Sequence, residues 1–214
     1  MADHAADEDV GDVFVYMGGE APQHVTHVLI DESVEVIEES AFDGCEHLVH
    51  VETHDGIRSV GKRAFCYCIL LRQIHLKSVV EIGRAAFYQC ENLESVEFGD
   101  KLETIGKFAF TGCRSLERLK LPSIITIEEG AFAECSRLID VEFSERLETI
   151  GGHAFYDCLR LQRIAIPLKR GLIPFDDLDN LFQFDKCDQL TTVDLVGGGT
   201  HKNCVFVSHG VLDN

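Results

Sequence analysis

The sequence predicts a strand-rich α/β repeat solenoid of about seven turns, each 22–23 residues long. Three observations carry this. An Ala-Phe-x-x-Cys-x-x-Leu block recurs six times, with its Ala-Phe pairs at Ala41-Phe42, Ala64-Phe65, Ala86-Phe87, Ala109-Phe110, Ala131-Phe132 and Ala154-Phe155. The phenylalanine steps are 23, 22, 23, 22 and 23 residues. Each block runs into an apolar alternation of period two, the mark of a short strand. No unit of this length buries its apolar face alone, so the units must stack.

The elements follow in chain order. Residues 1–24 read as an acidic tail with a cap strand: residues 1–12 are small, acidic and expected to be disordered, and Val13–Tyr16 alternates before Gly18-Gly19. Residues 25–166 are the regular array, opened by a half unit (Val25, Val28, Ile30, Val34, Ile37). Within each unit, Val-x-Phe or Leu-x-Leu forms a strand, Leu-x-x-Ile-Gly a second extended piece, and Ala-Phe-x-x-Cys a single helical or 3-10 turn with Phe and Cys on one face. Residues 167–195 form an irregular last repeat. It holds an insertion from Pro167 to about Asp177 and a worn unit read as Leu181-Phe182, Cys187, Leu190, Val193 and Leu195. Residues 196–214, with Gly197-Gly198-Gly199 and then Cys204–Val207, read as a closing cap that keeps the last core layer from water.

The unit around Phe110 shows the full pattern: Leu102, Ile105, Gly106, Ala109, Phe110, Cys113, Leu116, Leu119 and Leu121. The unit around Phe155 repeats it, and VEFGDKLETIG from Val96 and VEFSERLETIG from Val141 are near copies. This pattern, over about residues 25–195, resembles the BspA-like leucine-rich repeats. The resemblance implies a right-handed leucine-rich-repeat coil with parallel strands on its concave face, and protein binding as the activity. Many relatives are surface or secreted adhesion proteins. The acidic start of this sequence does not read as an export signal, so a secreted adhesin is not the expectation here.

Charge and cysteines narrow the setting. Thirty-seven Asp and Glu face 19 Lys and Arg, for a net charge of −18. That disfavours nucleic acid and anionic membranes and favours solubility or a basic protein partner. No apolar run approaches a membrane span, and the acidic start lacks a signal-peptide core, so an intracellular, cytoplasmic location is expected. Seven of the nine cysteines (Cys45, Cys68, Cys90, Cys113, Cys135, Cys158 and Cys187) share one repeat column. They read as a ladder of buried free thiols, in a core expected to offer a hydroxyl few partners.

Candidate chemistry is sparse. His24, His27, His47, His50, His54 and His75 cluster early. His27 and His50 fall in one outward column, with Glu52 and His75 in the next. Such a set could ligate a divalent ion, but a solvated histidine face is the plainer reading. No metal or cofactor is assigned. His201-x-x-Cys204-x₄-His209 reads as cap, and no phosphate loop, nucleophile elbow or zinc-protease motif occurs. The outward strand positions vary while the core repeats, as a recognition surface would. The expected binding residues on the concave face are His50, Glu52, His75, Glu97, Arg118, Lys120, Glu142 and Arg163. The expected function is a non-catalytic protein-interaction module. The alternative is a scaffold or accessory subunit of a larger assembly, and more distantly a metal-binding or enzymatic protein.

Overall fold

A computed structural model describes residues 13–167, 172, 182–196 and 202–205. The acidic residues 1–12, most of the insertion, the triple glycine and the His201–His209 segment other than the Lys202–Val205 backbone lie outside the described residues.

Alternation in the sequence becomes two stacks of parallel strands. One stack holds β1 (Val13–Tyr16), β2 (His27–Ile30), β4 (His50–Glu52), β6 (Gln73–Leu76), β8 (Ser95–Phe98), β10 (Arg118–Leu121), β12 (Asp140–Phe143), β14 (Arg163–Pro167) and β15 (Thr192–Val196). The other holds six two-residue strands: β3 (Val36–Ile37), β5 (Ser59–Val60), β7 (Glu81–Ile82), β9 (Thr104–Ile105), β11 (Thr126–Ile127) and β13 (Thr149–Ile150). The short-strand stack is one unbroken parallel sheet. The long-strand stack is parallel within three segments, β1-β2-β4, β6-β8 and β10-β12-β14-β15, and ends on an antiparallel strand, β16 (Lys202–Val205). Six complete laps therefore carry a long strand, a short strand and an Ala-Phe corner. The seventh passes through residues 168–181, of which only Leu172 is described.

Apolar residues face inward between the stacks. Phe42, Phe65, Phe87, Phe110, Phe132 and Phe155 are wholly buried and stack nearly parallel, with centroids 5.0–5.4 Å apart and interplanar angles of 4–11°. Strand spacing of about 4.8 Å imposes this separation on every column. The ring column extends at both ends. Tyr16 from β1 caps Phe42 at 4.9 Å, and Phe184 stacks on Phe155 at 5.5 Å.

Phe184 corrects the register of the last unit. The pair in the Ala-Phe position is Gln183-Phe184, not Leu181-Phe182. The Phe155 N–H donates to the Gln183 carbonyl, and the Cys187 N–H to the Phe184 carbonyl, as their equivalents do in earlier laps. Only Phe184 keeps the three-residue spacing to Cys187 that lets ring and thiol share a corner. Gln183 thus occupies an alanine position, and its Oε1 is buried without a hydrogen-bond partner among the described residues.

The Ala-Phe corner differs from the expected helical turn. At Phe65, the N–H groups of Ala64, Cys66 and Cys68 donate three residues back, to Gly61, Arg63 and Phe65. Those of Arg63, Phe65 and Tyr67 donate instead to Arg84, Ala86 and Tyr88 of the next lap. Two left-handed residues create this alternation, Arg63 (φ 56°) and Tyr67 (φ 60°), and equivalent residues recur in later laps. A helix would satisfy these amides locally and leave adjacent laps unbonded here. The left-handed conformation costs a non-glycine residue about 1–2 kcal/mol, offset by the inter-lap bonds.

Lap length varies at one place only. From Ile37 to Phe42, and from Phe42 to Val51, the spacings recur unchanged in every lap. The connection from long to short strand alternates: nine residues separate Val96 from Ile105, and eight separate Leu119 from Ile127. In an eight-residue corner Ser123 is buried and donates to the Leu102 carbonyl at 2.9 Å. The first two laps both use nine residues, and there the His54 ring joins the stacked corners, with Nε2 3.0 Å from the Asp31 carbonyl and Nδ1 accepting from the Gly56 N–H at 3.1 Å.

Candidate functional site

Period-two alternation sends every second long-strand residue outward. His50, Glu52, His75, Glu97, Arg118 and Lys120 are exposed, whereas Glu142 and Arg163 are half-buried. The ladder register pairs His27 with His50, Leu29 with Glu52, His75 with Glu97, Arg118 with Asp140, Lys120 with Glu142, and Asp140 with Arg163. The eight expected residues therefore lie on one face, in two columns. They are not one continuous ladder. β4 and β6 lie side by side without ladder pairing, as do β8 and β10. At the first seam the Thr53 hydroxyl donates to the His75 carbonyl at 2.6 Å.

The face divides into three electrostatic zones. At the start, the His27 and His50 rings lie 5.0 Å apart, with Thr26 Oγ1 3.0 Å from His27 Nδ1. In the middle, Glu97 takes His75 Nδ1 at 2.5 Å and Lys77 Nζ at 3.3 Å. Hydrogen bonds from His75 and then Lys77 hold the Glu97 carboxyl below the usual carboxylate range. At the far end Arg163 is a hub: its guanidinium meets Asp140 at 2.9 Å, Glu142 at 3.3 Å and Asp194 at 2.7 Å. Partial burial disfavours its charge, but the bonds to Asp140 and Asp194 outweigh that and raise it above the ordinary arginine value. Lys120 reaches Glu142 at only 3.8 Å and stays largely exposed, and among the described residues Arg118 has no carboxylate partner within ion-pair distance. Such solvated pairs contribute little to stability. Their charges remain available to a partner.

The histidine cluster does not converge. Among the described residues no three His, Cys, Asp or Glu side chains are grouped as a metal site would need. The eight cysteines whose side chains are described, Cys66 included, are buried free thiols. Each inner thiol of the ladder donates to the phenylalanine carbonyl one lap back, as Cys90 does to Phe65 at 3.0 Å and Cys113 to Phe87 at 3.2 Å. The core therefore does hold an acceptor at this column, contrary to the sequence expectation.

Sequence reasoning missed one surface. The residues after four successive Ala-Phe pairs line a groove at the corner: Tyr88, Thr111, Ala133 and Tyr156. The signal was in the variable positions of the repeat motif, beside invariant core.

Six copies of the BspA-type leucine-rich repeat region match the chain, over residues 21–123, 58–176 and 124–203. The chain belongs to the BspA-type leucine-rich repeat family. Among solved structures, this family member is similar to a leucine-rich repeat protein of Bacteroides ovatus, at 28% identity and a TM-score of 0.64, over 81% of this chain and 50% of that one. The leucine-rich repeat protein of T. pallidum is also 28% identical, with a TM-score of 0.63, over 71% of this chain and 72% of that one. One from Eubacterium ventriosum shares the fold at 20% identity and a TM-score of 0.53, over 77% of this chain and 40% of that one. The chain thus spans half the Bacteroides ovatus protein. A search of curated proteins found no match. No helix among the described residues is long and apolar enough to cross a membrane.

Proposed function

We propose that this BspA-type repeat protein is a non-catalytic recognition module that engages a partner protein, with a basic surface, through its long-strand face. The supporting observation is the contrast between columns. Inward positions repeat lap after lap, whereas the outward positions run through His50, Glu52, His75, Glu97, Lys120 and Glu142 in a chemically distinct order. A fixed scaffold presenting a varied row of side chains is how repeat proteins build recognition surfaces. Arg118 and Lys120 supply exposed cations, and Glu52 and Glu97 exposed carboxylates.

A second reading, an accessory subunit held in an assembly by its end, draws on a different observation. Val13, Val15 and Leu29 are exposed on the outward side of the first two strands, and Met17 beside them is 72% exposed. Photo-crosslinking residues placed at 97, 118 and 120, at 15 and 29, and at 62 and 148 on other surfaces separate the readings in an extract of the native cell. Recognition predicts adducts at the first set. End-docking predicts them at the second set alone. Equal adducts at all positions would overturn both.

A further inference from the structure

The corner surface carries a groove that the recognition reading above does not use. It measures about 610 Å³. Its origin lies in four successive laps, whose residues after Ala-Phe are Tyr88, Thr111, Ala133 and Tyr156. The two middle residues are small and buried, so Tyr88 and Tyr156 stand as walls three laps apart over a sunken floor. Phe108, left-handed at φ 57°, lays its ring across Gly130, where any Cβ would strike the ring at 2.5 Å. Glycine at that lap is what lets an aromatic edge line the groove.

Carboxylates set its charge. Glu129 and Glu134 line the rim, and about half of each side chain is exposed. Lys107 pairs with Glu129 at 3.1 Å, while Arg114 favours Glu91 at 3.0 Å over Glu134 at 4.0 Å. Among the described residues the Glu134 carboxylate thus has a cation only at 4.0 Å, in a chain of net charge −18. A cation already sits at one wall. Lys186, from the lap beyond the groove, donates to the Tyr156 hydroxyl at 2.5 Å, with its ammonium 4.7 Å from the ring centroid. Aromatic faces attract cations through their quadrupole, and guanidinium stacks on them while bonding carboxylates in plane.

We propose that this groove docks an extended, arginine-containing basic segment of a partner protein, with one arginine against each tyrosine wall, the walls lying about 14 Å apart, and one of the two paired to Glu134. This is a second interaction surface, independent of the long-strand face, and the reading of either survives failure of the other.

The test is fluorescence anisotropy with a short labelled peptide of alternating arginine and serine, against its glutamate counterpart, at physiological salt. The arginine peptide is expected to bind and the glutamate peptide not. Joint Tyr88→Ala and Tyr156→Ala replacement, or Glu134→Gln, should weaken binding roughly tenfold. Tyr88→Phe with Tyr156→Phe, which keeps the rings, should hold it within about twofold. Ala133→Leu, which plugs the floor, should abolish it, with a thermal melt confirming that each variant folds. Glu145→Gln with Glu148→Gln, exposed in the connection between β12 and β13 and part of neither surface, should leave it unchanged. Equal binding by the alanine variant, or an equal loss from the Glu145 and Glu148 changes, would overturn the groove and reduce the effect to attraction by net charge.

Discussion

The thiol of Cys113 donates to the carbonyl of Phe87, 3.2 Å away and one lap back, and that same carbonyl accepts the N–H of Cys90. Both lone pairs are thus used by the two cysteines that bracket it. The column selects a side chain that is small, apolar enough for a dry core, and still a weak donor.

Because an acceptor is waiting, Cys113→Ser should be tolerated better than a buried hydroxyl usually is. Its cost is expected at about 1 kcal/mol, no greater than that of Cys113→Ala. Cys113→Val, which adds a branch and removes the donor, should cost more. Chemical denaturation of the three variants ranks them; a serine variant weaker than the valine one contradicts the bond.

The thiols also set an alkaline limit. Burial, with the Asp43 carboxylate second, pushes Cys45 up to about 11, and the same causes push Cys66 to about 11. An unfolded thiol ionises near about 8.5. The folded chain keeps protons that the unfolded chain sheds in this window, so the contribution is complete below pH of about 8.5 and is lost as pH rises through about 11. The loss reaches up to about 1.4 kcal/mol per pH unit for each such thiol. Urea midpoints across that window should fall, and fall less steeply in a Cys45→Ala, Cys66→Ala double variant.

Phe110 has a ring on each side, at 5.0 and 5.2 Å, and Phe98 edge-on at 6.0 Å. Phe110→Ala should cost about 3–5 kcal/mol. Phe184, with Phe155 on one side, should cost about half as much, because terminal laps contact one neighbour. Equal losses would mean that the column does not transmit its packing lap to lap.

Gln183→Ala should stabilise by about 1 kcal/mol, since it restores the alanine column and removes a buried oxygen that has no partner among the described residues. A drop in melting temperature would show that Gln183 makes a contact worth more than its desolvation.

Gly151 and Gly152 are adjacent and opposite in demand. A Cβ on Gly151 would collide with the backbone of Glu128 and Glu129, whereas one on Gly152 meets nothing within 4 Å. Gly151→Ala should cost about 1–3 kcal/mol and Gly152→Ala less than about 0.5 kcal/mol. Paired thermal melts decide it.

Much of this was legible in the sequence because stacking makes every core column a repeated letter. The Phe and Cys columns, both strand types and the outward columns of the long strands could be read from spacing alone. The corner hand could not: Arg63, Ala85 and Phe108 share a left-handed backbone but no chemistry, since inter-lap amide bonds and not side chains impose it. Tyr16 escaped because it fills a ring position from a strand instead of a corner. Gln183 escaped because nothing in its own side chain marks an alanine position. The aromatic groove was hidden for the opposite reason. It arises from what two laps lack, Thr111 and Ala133 being small between two tyrosines.

The alternating eight- and nine-residue corners give the coil a grammar of doublets. Its modular word is two laps long, which is why the near copies starting at Val96 and Val141 are separated by one intervening lap. Lengthening the protein by splicing in such a doublet leaves every corner facing its usual neighbour. Splicing in a single lap would set like against like, as happens once in the native chain, where His54 spans the mismatch. A designer who wanted an odd number of added laps would have to supply a bridging ring of that kind at the splice.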